Sequence, residues 1–143
     1  MPKFPRRIAI DTGAIVALIL RGDPSHQACR DALSAIPELA SWFTTESCLT
    51  EVSWLLPNDK LHRRKILDLI QALRIQLVVL DQPALHRVFE LQNKYNDLPM
   101  DFADASLVVA CECLDVRHVF TLDRRDFSVY RPKHTKLFQL LPN

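Results

Sequence analysis

At 143 residues, 48% of them hydrophobic, the chain is long enough for one ordinary core and too short for two, and is expected to form a single domain over residues 1–143. Its 18 basic and 17 acidic residues nearly cancel, which excludes a global field that would draw it to nucleic acid or membrane by charge alone. The longest uninterrupted apolar run, Ala14 to Leu20, falls far short of a membrane span, and Asp11 interrupts the signal-like start MPKFPRRIAI, so a soluble, cytoplasmic protein is expected.

From the N-terminus, the first informative stretch is Arg7 to Leu20, RIAIDTGAIVALIL. Ile8, Ala9 and Ile10 suit a strand covered on both faces, Thr12 is the expected helix N-cap, and Ala14 and Leu18 carry the helix onward. Asp11 then lies at the strand's C-terminal end, beside a helix N-terminus, where ligand chemistry gathers in open α/β sheets. The turn Arg21-Gly22-Asp23-Pro24 accounts for an Arg-Gly-Asp tripeptide better than adhesion does. It leads to a helix from Ser25 to Ile36, with Ala28, Ala32, Leu33 and Ile36 inward, which Pro37 ends.

A short strand is expected at Ser41 to Thr44, followed by a helix that Thr45 or Ser47 caps and that runs through Leu55 to the stop Pro57-Asn58-Asp59. The helix from about Leu61 to Leu73 has Leu61, Ile66, Leu69, Ile70 and Leu73 on one face and carries the densest basic cluster, His62 to Lys65. Ile75 to Leu80 reads as a strand, and Asp81-Gln82-Pro83 opens a helix to about Tyr95. A loop at Asn96 to Pro99 precedes a helix from Asp101 to Leu114 and a strand from Arg117 to Thr121. Leu122 to Arg131 reads as a loop with room for one helical turn, and Thr135 to Leu141 as the last strand.

This alternation predicts an α/β fold: a three-layer αβα sandwich around a parallel sheet, because parallel strands need crossovers. The periodicity puts Ile8, Ile10, Leu18, Val52, Leu55, Val78, Val108, Val119 and Leu137 in the core and leaves Trp54, Leu56 and Leu61 as apolar groups for a contact surface. With glycine only at positions 13 and 22, no phosphate-cradling loop is present. Cys111 and Cys113 sit about 200° apart around a helix and cannot share a zinc ion, and the scattered Cys29 and Cys48 demand no disulfide.

The acidic residues carry the chemistry. Glu51 falls inside the apolar stripe Cys48, Val52, Leu55, where a charge needs either an edge position and a basic partner or a function. Asp101 and Asp104 open the helix DFADASLVVA at i, i+3 spacing. Capping explains Asp101 as well as function does, whereas Asp104 turns inward. Asp123 and Asp126, in TLDRRDF, follow another strand. In a doubly wound sheet the strand exits and helix starts deliver Asp11, Glu51, Asp104 and Asp123 to one region. Carboxylates ~5 Å apart at an effective dielectric of ~20 repel by about 3 kcal/mol per pair, so the cluster must take up protons or a cation. All-oxygen, acidic ligation suits Mg²⁺ or Mn²⁺, ions that activate water and neutralise a phosphodiester.

These residues resemble PIN-domain ribonucleases of the VapC toxin type over essentially the whole chain. The resemblance rests on IDTGAIVALI with Asp11, TTESCLTEVSWLL with Glu51, DFADASLVVA with Asp104 and VFTLDRRDF with Asp123, in family order and at family-like spacing. It implies a five-stranded parallel sheet, Mg²⁺- or Mn²⁺-dependent cleavage of RNA, a homodimer, and often neutralisation by an antitoxin. It makes Asp11 and Asp104 metal ligands, Glu51 a ligand or orienter of water, and Asp123 a ligand for the same or a second ion, with Asp101 and Asp126 in support. Thr12 and Thr121 match hydroxyl positions flanking the site. The near-neutral charge departs from expectation and leaves RNA binding to local patches such as Arg124-Arg125 or His62 to Lys65.

Three other readings compete. An aspartyl-phosphate phosphatase needs a second aspartate two residues after the first, where this chain has Gly13. A housekeeping RNA-processing nuclease would look the same in sequence as a toxin. A catalytically silent scaffold of this fold is disfavoured by four intact acidic positions.

Overall fold

The structure, a computed structural model, describes residues 6–142. Five strands form one sheet: β1 (Arg7–Ile10), β2 (Ser41–Thr45), β3 (Gln76–Val78), β4 (His118–Phe120) and β5 (Gln139–Leu141). The order across the sheet is β3-β2-β1-β4-β5 and every pairing is parallel. Among the described residues seven helices make the crossovers: α1 (Thr12–Ile19), α2 (His26–Ser34), α3 (Glu46–Leu55), α4 (Lys60–Leu73), α5 (Gln82–Lys94), α6 (Phe102–Leu114) and α7 (Arg124–Val129). The chain builds outward from β1 to β3, then returns to the other side of β1 to lay down β4 and β5. The order therefore reverses at β1/β4, the place where crevices open at the C-terminal edge of such sheets.

Two apolar layers cover the sheet, and the period-2 alternation of the strands sorts residues between them. Ile8, Ile10, Trp42 and Phe120 pack with α1, Cys29, Val52, Leu56 and Ile75 in one layer. Ala9, Phe43 and Val119 face the other, with Val88, Leu91, Leu107, Val108, Phe127 and Tyr130. Both faces of β1 are closed, which is why its sequence is apolar without alternation.

Several expectations are corrected. Thr12 is the first helical residue, and Asp11 holds the extended cap position before it without a side-chain capping bond. The segment read as a loop with room for one helical turn holds the six-residue helix α7, and the strands expected at Ile75 to Leu80 and Thr135 to Leu141 shorten to three residues each. Leu55 and Leu137 are 57% and 51% exposed, while Leu56, expected outside, is 4% exposed. The face of α3 drifts as the helix passes from one layer, holding Cys48, to the other, holding Val52 and Leu56. Val78 is half-buried, and in α2 it is Cys29 that is buried while Ala28 is exposed. Trp54 and Leu61 remain exposed, so Leu61 belongs to the surface and not to the inner stripe of α4. The first five residues, where the signal-like start begins, lie outside the described part. Among the described residues, no helix is long and apolar enough to cross a membrane.

Candidate active site

β1 ends at Ile10 and α1 begins at Thr12, so Asp11 sits at their junction with its carboxylate at the C-terminal edge of the sheet. The register Ile10↔Phe120 brings the end of β4 alongside, and the Asp11 N–H donates to the Phe120 carbonyl at 3.0 Å. Thr121, the next residue, is fully buried and donates its hydroxyl to Asp11 Oδ2 at 2.8 Å. The same hydroxyl oxygen accepts the N–H of Asp123 at 2.9 Å. Asp11 Oδ1 is left buried with no hydrogen-bond partner, one of two such side-chain atoms among the described residues.

Asp101 caps α6 by accepting the Asp104 N–H at 2.7 Å, which fixes the first turn and turns Asp104 inward, 9% exposed. Asp123 caps α7 and accepts the Asp126 N–H at 3.3 Å. Carboxylate oxygens of Asp104, Asp123 and Asp126 come within 4.8 Å of one another. Asp126, a supporting residue in the sequence reading, thus stands in the tightest group, while Asp11 lies near enough for its charge to act on Asp104. Glu51, half-buried on α3, lies on the side of Asp101 and Thr12, apart from that trio. Thr12 donates to the Cys48 carbonyl at 3.4 Å, tying α1 to α3. Arg124 and Arg125 are exposed beside Asp123, and Arg124 donates to the Pro142 carbonyl.

Four acids crowded into a partly buried edge resist ionising together. Burial first, then the charges of Asp11 and Asp101, pushes Asp104 up to about 8. Burial raises Asp11 to about 6, against the hydrogen bond from Thr121. Burial also raises Asp123, against the Asp126 N–H that it accepts and with the Asp126 charge adding to it, and raises Glu51, with the charge of Asp101 adding to it. The site can relieve this strain with protons or with a cation. Its all-oxygen donors and the orphaned oxygen of Asp11 fit a hard divalent ion.

One residue escaped the sequence reading. Tyr130, fully buried, donates its hydroxyl to Asp104 Oδ2 at 3.0 Å. The spacing Asp123, Asp126, Phe127, Tyr130 is the signal that could have found it, because i, i+3, i+4, i+7 is one helix face.

A sequence profile of the PIN domain matches residues 8–131. The chain belongs to the PIN domain family. The match runs from β1 to just past α7 and so includes every acid described above. Among solved structures, this PIN domain is similar to VapC20 of Mycobacterium tuberculosis, a sarcin-ricin loop cleaving toxin, at 18% identity and a TM-score of 0.73, covering 90% of this chain and 98% of that one. It is also similar to VapBC2 of Rickettsia felis bound to a promoter DNA fragment, at 11% identity and a TM-score of 0.65, covering 94% and 98%. A toxin-antitoxin complex from Klebsiella pneumoniae matches at 16% identity and a TM-score of 0.62, covering 92% and 99%. At these identities the likeness is one of fold. No curated protein sequence matches this PIN domain.

Proposed function

We propose that this PIN domain is an Mg²⁺- or Mn²⁺-dependent endoribonuclease acting as the toxin of a toxin-antitoxin pair. The observation that carries the reading is the convergence of Asp104, Asp123 and Asp126 within 4.8 Å, beside a buried Asp11 whose Oδ1 has no partner. Asp104, Asp123 and Asp126 would hold the ion together with the neighbouring Asp11, with Glu51 at its margin. An ion bound there supplies charge neutralisation at the phosphodiester and acidifies water for attack. Thr121 orients Asp11, Asp101 fixes the turn that presents Asp104, and Glu51 would orient water. Arg124 and Arg125 give the nucleic acid backbone a local positive contact that net charge does not.

The toxin role, with a cognate antitoxin as partner, is supported by neighbours that are toxins or toxin-antitoxin complexes. A homodimer is part of the same reading, and the exposed Trp54 and Leu61 offer apolar surface for either contact. The test is induced expression in a bacterial host with mapping of RNA 5′ ends. The parent should create new ends and arrest growth, Asp11→Asn should do neither, and co-expression of a small adjacent gene should relieve the arrest. Arrest by Asp11→Asn with the same pattern of ends would overturn the proposal.

A further inference from the structure

Resting on that metal-dependent reading, we infer that Tyr130 is a positioning residue of the acidic site: its hydroxyl turns Asp104 so that Asp104, Asp123 and Asp126 can share one divalent ion. The hydroxyl donates to Asp104 Oδ2 at 3.0 Å, and the Tyr130 N–H donates to the Asp126 carbonyl at 3.1 Å. One residue therefore ties the side chain supplied by α6 to the backbone of α7, which supplies the other two acids. Its ring is locked edge-on against Phe127 at 5.2 Å and Tyr95 at 5.3 Å between centroids, and Phe127 leans in turn on Phe138 at 6.1 Å. A donor on so fixed a ring selects one orientation of the carboxylate. A hydrogen bond from outside the ligand set that orients a metal-binding carboxylate is the kind of contact whose loss weakens metal affinity.

A buried tyrosine that merely satisfies its hydroxyl on the nearest acceptor would have the same geometry and no such effect. Tyr95 supplies the control, since it lies in the same aromatic cluster and spends its oxygen on accepting the Arg131 N–H at 2.8 Å, away from the acids. Mn²⁺ binding to metal-free protein, followed by the electron paramagnetic resonance of free Mn²⁺, reads the ion without reference to activity. Tyr130→Phe should weaken binding by ~10- to 100-fold, and Tyr95→Phe should stay within about twofold of the parent. The protein has two tyrosines, so ¹³Cζ-tyrosine NMR of the unaltered chain gives a second readout that no folding defect can obscure. Mg²⁺ should move the Tyr130 signal and leave that of Tyr95 in place. Equal Mn²⁺ affinity in Tyr130→Phe, or a Tyr130 signal that ignores Mg²⁺ while the ion binds, would overturn the inference alone. A parent protein that binds no Mn²⁺ overturns the metal reading with it.

Discussion

Thr121 gives its one hydroxyl proton to Asp11 Oδ2 at 2.8 Å and accepts the N–H of Asp123 on the same oxygen at 2.9 Å. A single side chain thus couples the acid at the end of β1 to the acid at the start of α7. Replacing it with the isosteric valine leaves a buried carboxylate oxygen and an N–H without partners. Thr121→Val should lose roughly 1–3 kcal/mol of stability in urea denaturation at pH 8, and Thr121→Ser should recover most of it. A valine variant as stable as the parent would mean that the hydroxyl holds nothing in place.

The raised carboxyls make stability depend on pH with a definite sign. Asp11 at about 6 and Asp104 at about 8 both lie above their ordinary value of 3.8, so the folded protein binds more protons than the unfolded chain between those limits. Their contribution is complete below pH 3.8 and is lost as pH rises through about 6 and then about 8. For Asp11 alone the displacement corresponds to roughly 3 kcal/mol. Metal-free protein should therefore melt at a lower temperature at pH 8.5 than at pH 5.5. Millimolar Mn²⁺ should raise the melting temperature at pH 8.5 and do little at pH 4.5, where Asp11 and Asp104 already hold protons. Asp104→Asn should flatten the pH dependence and keep or raise the metal-free melting temperature. A melting temperature that rises steadily with pH in chelator would be the opposite of the expected behaviour.

An ion pair far from this edge behaves in the other sense. Arg87 grips Glu112 with two bonds of 3.0 Å, Nε to Oε1 and Nη2 to Oε2, in a largely buried setting, and Glu112 also accepts the Lys133 N–H at 2.7 Å. Burial alone would raise Glu112, but Arg87 and the Lys133 N–H outweigh it and hold the carboxyl below its usual range. Its contribution is present above the ordinary glutamate value and lost as pH falls through the lowered one. Glu112→Gln should cost roughly 1–3 kcal/mol in denaturation and leave Mn²⁺ affinity untouched, because it removes the charge facing a largely buried guanidinium whose other partner is the exposed Glu90. A change in Mn²⁺ affinity would show that α6 transmits strain to Asp104.

Much of this was legible in the sequence, for reasons that differ by element. Strands apolar on both faces and separated by helical spacing announce a parallel sheet, and a carboxylate at the abrupt end of such a strand, as at Asp11, marks the edge where the other acids gather. Asp104 was legible because a mostly apolar run, Ala105 to Cys111, follows it. The helix α7 was legible only as room for one turn, because six residues give periodicity little length, and burial of Phe127 and Tyr130 secures it from outside. The choice between Leu55 and Leu56 also lay beyond sequence, since α3 serves both layers and its buried face shifts along its length. For Tyr130 the spacing offers only a shared face with Asp123 and Asp126, and its bond to Asp104, on another helix, is a relationship that the tertiary fold creates.

Arg124 and Arg125 are exposed at the rim of the acidic edge. If they hold the RNA backbone, Arg124→Ala and Arg125→Ala should each weaken binding of single-stranded RNA similarly across sequences and reduce the salt dependence by about one phosphate contact. Fluorescence anisotropy at several salt concentrations checks this. Unchanged slopes would move the substrate path elsewhere, with the basic run His62 to Lys65 as the next place to look.

The most direct measurement is the rate at which chelated, purified protein cleaves a fluorescent single-stranded RNA as Mn²⁺ is titrated in. Cleavage should be absent without metal, rise to saturation with it, and fall by orders of magnitude in Asp104→Asn, whose fold stays intact. Cleavage at the same rate in chelator, or by Asp104→Asn at the parent rate, would contradict a metal-dependent nuclease built on these acids.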